Sequence, residues 1–263
     1  MLTHDRRGSG SPLVLLHGIG HRLQAWEPVM DRLAAHHDVI AVDLPGFGAS
    51  PMLPDGHRYD VPGALAALTD AFAEFGVERP HVAGNSLGGM LALELASRGL
   101  VRSATALAPA GFWTPWDRAW AIRVLGVVRR LGRTPERFQA ALCGRRLVRV
   151  VGGSLLFGKP SVLTAEVMVA DLVAMGAGTG FDAVLDSGAR EYLWTSAPPA
   201  VPVSVAWGTR DRILWPRQAG KARELLPDAT HVWLPGCGHV PMGDDPELVA
   251  STILATCAES PAA

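Results

Sequence analysis

The stretch Gly84-Asn85-Ser86-Leu87-Gly88 sets a hydroxyl among glycines. A serine in a G-x-S-x-G string is a candidate nucleophile when the string joins a strand to a helix. The sharp turn lifts the hydroxyl above the sheet edge, and the glycines let the helix pass close to the strand. Taken alone, the string also fits a serine that merely caps a helix. What separates the two readings is whether the chain supplies partners. A serine hydroxyl is a poor nucleophile at neutral pH unless a base takes its proton. Among nine histidines, His36 and His37 fall in a polar turn, and His4, His21 and His57 read as exposed. His239 differs, because "LPGCGHVPMGDDPE" puts it in a glycine- and proline-rich loop after the last predicted strand. That is where a parallel sheet presents ligand-facing groups. An imidazole base needs an acid to hold its tautomer and stabilise the imidazolium. Asp211, in "VAWGTRDRI", follows a predicted strand, while the preceding strand end, "LAPAG", offers no carboxylate. An oxyanion formed at Ser86 would need two backbone amides. Leu87 is the expected donor just after the nucleophile, and Ile19 in "LLHGIG" is the second, with Gly18 as the alternative.

The elements that must position these groups follow one grammar: a short apolar run, a turn, then a helical pattern. "SPLVLLHG" leads into a helical segment around Trp26 to His36. "HDVIAVDLPGFG" leads, through a loop, into Val61 to Phe75. "PHVAGNS" leads into "LGGMLALELASRG". Such alternation predicts βαβ units and a parallel sheet. "SATALAPAG", "VPVSVAWGT" and "THVWLPG" continue the strand series. From Phe112 to Ala197 the grammar changes to helix formers and arginine, without a buried strand run. It returns through Pro198, Pro199 and Pro202, a rigid re-entry into the sheet. The expected organisation is a core of residues 1–111 and 198–263 with a helical cap at 112–197.

With these parts in hand, the chain resembles the α/β-hydrolase-fold serine hydrolases over nearly its whole length. "LVLLHGIG", "VIAVDLPGFGAS", "HVAGNSLGG", "WGTRDRI" and "GCGHVPM" fall in that family's order. The succession Ser86, Asp211, His239 is the family's nucleophile–acid–base order, unlike the chymotrypsin or subtilisin orders. The resemblance implies a mostly parallel α/β sheet flanked by helices, an inserted helical cap, a triad and an oxyanion hole. It also implies that Asp43 and the "GFG" turn are scaffold parts and that His17 shapes a loop. Only about a dozen residues precede "PLVLLHG", so the N-terminal strand region is shortened.

The reaction expected is hydrolysis of a small carboxylic ester, lactone or thioester through an acyl-enzyme. One alternative is hydrolysis of an activated C–C bond in a dioxygenase ring-cleavage product. In that group of enzymes the glycine loop commonly carries Gly-Pro, where His21-Arg22 stands here. A small-molecule receptor with a slow triad is the alternative outside enzymes. A pocket is expected around Gly18, Trp113, Trp116 and Met242. Trp113, Trp116 and Trp120, at i, i+3 and i+7, would line one face of the first inserted helix. No cofactor or metal is called for, since Cys143, Cys237 and Cys257 form no C-x-x-C pair. Reduced thiols and the lack of a visible signal segment fit a cytoplasmic protein. A formal net charge of -1 gives no reason to expect nucleic acid, and no apolar run is long enough to span a bilayer. The sequence leaves the oligomeric state open. "GSLLFGKP" nearly matches a phosphate-binding loop, but Pro160 replaces the Mg²⁺-binding hydroxyl. The arginines between Asp117 and Arg149 read as a solvated cap face whose aliphatic stems cover apolar neighbours.

Overall fold

In the computed structural model, which describes residues 1–189 and 191–260, one seven-stranded sheet runs through the molecule in the order β1-β3-β2-β4-β5-β6-β7. The strands are β1 (His4–Gly8), β2 (Pro12–Leu16), β3 (Asp38–Val42), β4 (His81–Asn85), β5 (Ser103–Leu107), β6 (Val203–Gly208) and β7 (Thr230–Leu234). Every neighbouring pair is parallel except β1 with β3. The N-terminal strand region is thus a single antiparallel edge strand. Residues 261–263, the end of the second expected core segment, lie outside the described residues.

Strands β4, β5 and β6 are buried along their whole length, as expected of parallel strands covered on both faces. Their side chains are accordingly apolar or small, and buried polar ones such as His81 and Ser103 bond to each other at 2.8 Å. Two apolar cores result, one on each side of the sheet. One gathers α2 (Val61–Glu74), α3 (Leu87–Ser97) and α9 (Gln218–Leu225); the other gathers α1 (Glu27–Ala34) and α10 (Pro246–Ala258). Helix α3 is buried from Leu87 to Ala96, so it is covered on every side rather than amphipathic, with Glu94 its one charged residue. Asp60 caps α2 by accepting from the Gly63 N–H at 3.0 Å, and Asp245 caps α10 by accepting from Leu248 at 3.1 Å.

Between β5 and β6 the chain inserts α4 (Pro115–Gly132), α5 (Glu136–Cys143), α6 (Arg146–Gly153), α7 (Ala165–Ala177) and α8 (Gly180–Val184). Helix α4 starts with a reciprocal capping box between Thr114 and Asp117. Trp113 therefore precedes the helix, and the expected three-tryptophan face on it does not form. Three buried polar anchors tie the insertion to itself and to the sheet. Glu94 on α3 accepts from the Tyr192 hydroxyl, from Arg98 and from Ser196 at 2.9 Å. Asp244 accepts from the Gly158, Lys159 and Gly238 amides, each at 2.7 Å. The amides that a phosphate loop would offer in "GSLLFGKP" are thereby bonded to a carboxylate. Arg129 departs from the expected solvated arginine face. It is buried, donates to the Met175 and Gly178 carbonyls at 3.1 and 2.8 Å, and lies over the Phe181 ring. Carbonyls left open by the end of α7 are satisfied in this way.

Candidate active site

Ser86 occupies the junction between β4 and α3 with φ 56° and ψ −111°, a left-handed backbone that a non-glycine residue adopts only where packing enforces it. The enforcement is visible. Its N–H donates to the Leu107 carbonyl at 2.9 Å, and its own carbonyl accepts from Met90 at 2.9 Å and Ala110 at 3.2 Å. Although Ser86 stands at the N-cap position, its side chain makes no capping hydrogen bond. The hydroxyl is not used for capping. A β-carbon on Gly84 would lie 2.0 Å from the Gly88 carbonyl oxygen, and one on Gly88 would lie 2.1 Å from that of Leu16. These two glycines let α3 run against the sheet, which is the close passage the motif requires.

Ser86 and His239 line one cavity of about 180 Å³ beneath the insertion, together with Gly18, Ile19, His21 and apolar side chains of α4 and α7. Asp211 is buried behind His239. Its Oδ2 accepts from His239 Nδ1 at 2.8 Å, and its Oδ1 accepts from the Ile213 and Leu214 amides, each at 2.8 Å. With Nδ1 donating to Asp211, the neutral imidazole leaves Nε2 free to accept a proton. Asn85 supplies a support that the sequence pattern did not single out. Its buried side-chain amide donates to the His239 carbonyl at 2.9 Å and to the Leu107 carbonyl at 3.1 Å, fixing the histidine loop to the strand that carries the serine.

The glycine loop after β2 approaches from the other side, for a β-carbon on Gly18 would come 3.3 Å from Ser86 Cβ. Leu87 is the first residue of α3, so its amide belongs to those that a helix leaves without an internal acceptor. His17 shapes the loop: Nδ1 donates to the Gly18 carbonyl at 2.7 Å and Nε2 accepts from Leu44 N–H at 3.0 Å. Asp43 accepts from the Leu23 and Ala49 amides at 2.6 and 2.9 Å, acting as a scaffold beside the "GFG" turn.

Burial holds the His17 pKa down to about 3, against a smaller opposing effect of its bond to Gly18. Desolvation, with the neighbouring His37 and Arg102, holds His81 down to about 4. The unfolded chain binds protons at both sites near pH 6.5, where the folded chain does not. Their contribution to stability is thus complete above pH 6.5 and is lost as pH falls towards the folded values. His17 alone should remove about 1.4 kcal/mol per pH unit between pH 6 and 4. Urea denaturation at pH 7, 6 and 5 measures this; an unchanged midpoint across that range would contradict it.

Several expected positions are corrected. Trp116 is 78% exposed and faces solvent, while Met242 is fully buried in the core beside α10. Neither lines the cavity. Trp113 is buried, donates to the Tyr192 carbonyl at 2.8 Å and lines a smaller chamber that also reaches Ser86. His21, expected to be exposed, is half-buried in the cavity wall with Nε2 3.9 Å from Asp171 of α7. His37 lies in the expected turn but is buried there and faces His81 across 5.4 Å. Among the described residues no cluster of three His, Cys, Asp or Glu side chains could hold a metal ion, and no single helix is long and apolar enough to cross a membrane.

Residues 11–246 match the family model of the alpha/beta hydrolase fold. An uncharacterised protein of Mycobacterium tuberculosis is 29% identical over 252 residues, covering 91% of this chain and 73% of its own. A pimeloyl-[acyl-carrier protein] methyl ester esterase of Aeromonas salmonicida is 42% identical over 92 residues, 35% of this chain and 34% of its own. The crystal structure of a membrane phospholipase A, a bacterial virulence factor, superposes with a TM-score of 0.78 at 29% identity, over 98% of this chain and 82% of that one. The strand order, the strained serine at the turn and the length of the match lead to one conclusion: the chain belongs to the alpha/beta hydrolase fold family and is a hydrolase.

Proposed function

We propose that this protein hydrolyses small carboxylic esters, with lactones and thioesters open to the same machinery. In this reading Ser86 is the nucleophile, His239 the base and Asp211 its acidic partner. The Leu87 and Ile19 amides form the oxyanion hole, and residues 112–197 act as a cap. One observation carries the reading. A strained serine whose hydroxyl makes no capping bond shares a cavity with a histidine whose other nitrogen is held by a buried carboxylate.

The chemistry runs in two halves. Ser86 Oγ attacks the carbonyl carbon while its proton passes to His239 Nε2, and the developing oxyanion is stabilised by the two amides. His239 returns the proton to the leaving alkoxide oxygen, the C–O bond breaks, and the acyl group stays on Ser86. Water then attacks the acyl carbon and loses a proton to His239, which passes it to Ser86 Oγ as the acyl–Oγ bond breaks and the acid leaves. Ester hydrolysis is favoured over cleavage of a ring-opened dienoate by the cavity wall. Its lining side chains are mostly apolar, and among the described residues no arginine or lysine lines it to receive a substrate carboxylate. The two named relatives described as an ester hydrolase and a phospholipase add weight in the same direction.

Labelling with a fluorophosphonate followed by peptide mass spectrometry tests the assignment. A single adduct on Ser86, lost in Ser86→Ala, is expected. An adduct elsewhere removes the nucleophile. Thermal stabilisation by esters without any turnover would instead support the receptor reading.

A further inference from the structure

Ser86 stands between two chambers of unequal size. The cavity beneath the insertion, about 180 Å³, has both Ser86 and His239 in its wall. The second chamber, about 50 Å³, reaches Ser86 from the side of α3. Its wall includes Leu87, Met90, Trp113 and Ile213, and His239 is not part of it. Ile19 borders both chambers. A third cavity of about 280 Å³ lies beyond Leu87, Met90 and Tyr192, which it shares with the small chamber. Ser86 does not line that third cavity. Leu87 and Met90 therefore stand as a partition between the small chamber and a larger apolar space.

The proton path decides which half of an ester goes where. His239 must hand its proton to the leaving alkoxide oxygen, so the alcohol has to lie on the His239 side. It must later take a proton from water in the space the alcohol has vacated. That side is the larger cavity. Among the described residues the space left for the substituent on the carbonyl carbon is the small chamber, with the carbonyl oxygen between Leu87 and Ile19. A water-sized group needs about 10–15 Å³ of such volume. On that scale the small chamber holds roughly three to five heavy atoms, and the larger cavity roughly twelve or more.

Resting on the ester reading above, the geometry points to esters of a short acid, acetyl to butyryl, with a long apolar alcohol. The opposite class, long-chain acids on small alcohols, is excluded from the small chamber by Leu87 and Met90.

Octyl acetate and ethyl octanoate test this directly. They are isomers with matched apolar content, and they differ only in which side of the ester carries the chain. The wild-type protein is expected to show kcat/KM at least tenfold higher for octyl acetate. Met90→Ala, which opens the small chamber towards the third cavity, should raise ethyl octanoate relative to octyl acetate at least fivefold. Met168→Trp narrows the larger cavity from a half-buried position on α7, where the larger side chain threatens the fold least. It should lower the ratio of octyl acetate to ethyl acetate turnover at least fivefold. Equal rates for the two isomers, or a preference for ethyl octanoate, would overturn the orientation and leave the esterase reading intact. Turnover of neither isomer by protein that labels at Ser86 would remove the esterase reading and this inference with it.

Discussion

Asp211→Asn is expected to lower kcat for ester hydrolysis about ten-thousand-fold, and Ser86→Ala at least as much, with both variants folded. The first effect follows from hydrogen-bond bookkeeping around one carboxylate. Asp211 Oδ1 is held by two amide N–H groups, from Ile213 and Leu214, while Oδ2 faces His239 Nδ1. An asparagine must keep its carbonyl oxygen on the two amides, because flipping would set its NH₂ against two donors. The NH₂ then takes the place of Oδ2 and donates to Nδ1. That forces the imidazole proton onto Nε2, the nitrogen that receives the serine proton in the proposed mechanism. On that mechanism the variant would retain its cavity and the proposed oxyanion donors and lose its base. Steady-state rates on p-nitrophenyl butyrate, alongside far-UV circular dichroism, measure this. A near-normal rate in folded Asp211→Asn would move the acid's role to another carboxylate.

The second large effect is on stability. Gly88→Ala should destabilise the fold by about 3 kcal/mol or more, because its β-carbon would lie 2.1 Å from the Leu16 oxygen and 2.7 Å from the His17 oxygen. Both obstacles are backbone atoms at the end of a central strand, so neither can turn aside as a side chain would. The strain would be relieved only by moving α3 outward, and α3 carries the Leu87 amide and fixes the Ser86 turn. Activity should therefore fall even in the fraction that folds. Gly126, within α4, provides the contrast: nothing lies within 4 Å of a β-carbon there. Gly126→Ala should stabilise by about 0.5–1 kcal/mol through helix propensity alone. Urea titrations of the two variants settle the matter, and similar midpoints would show that α3 does not rest on the strand end as described.

The two effects are linked through one junction. The turn at Ser86 is held by bonds to Leu107, Met90 and Ala110, and Asn85 ties the same turn to the His239 loop. The strain at the serine and the placement of the histidine are thus maintained by adjacent residues, the Ser86 backbone and the Asn85 side chain. Rigid first neighbours of this kind keep reacting groups within the tolerance that proton transfer needs.

The glycine-flanked serine, the strand-turn-helix grammar and the order Ser86, Asp211, His239 were legible in the sequence, since each is a local signal. Apolar runs bounded by turns specify buried parallel strands, and strand ends in a parallel sheet share one edge, so residues far apart in the chain are brought to one place. Tertiary packing decided the rest. Helical spacing suggested a tryptophan face in the insertion, yet Thr114 begins the helix one residue after Trp113, and Trp116 points to solvent. Met242 follows the histidine closely in sequence, but the turn after it sends its side chain into the opposite core. His21 enters the cavity because α7 folds back over the glycine loop, a contact spanning some 150 positions. Arg129 reads as part of a solvated face until its partners arrive from another element, and Glu94 and Asp244 likewise find their buried partners only in the fold. The chambers on either side of Ser86 belong to this second class. Their sizes depend on how α3, α4 and α7 meet, and no single stretch of sequence contains that distance.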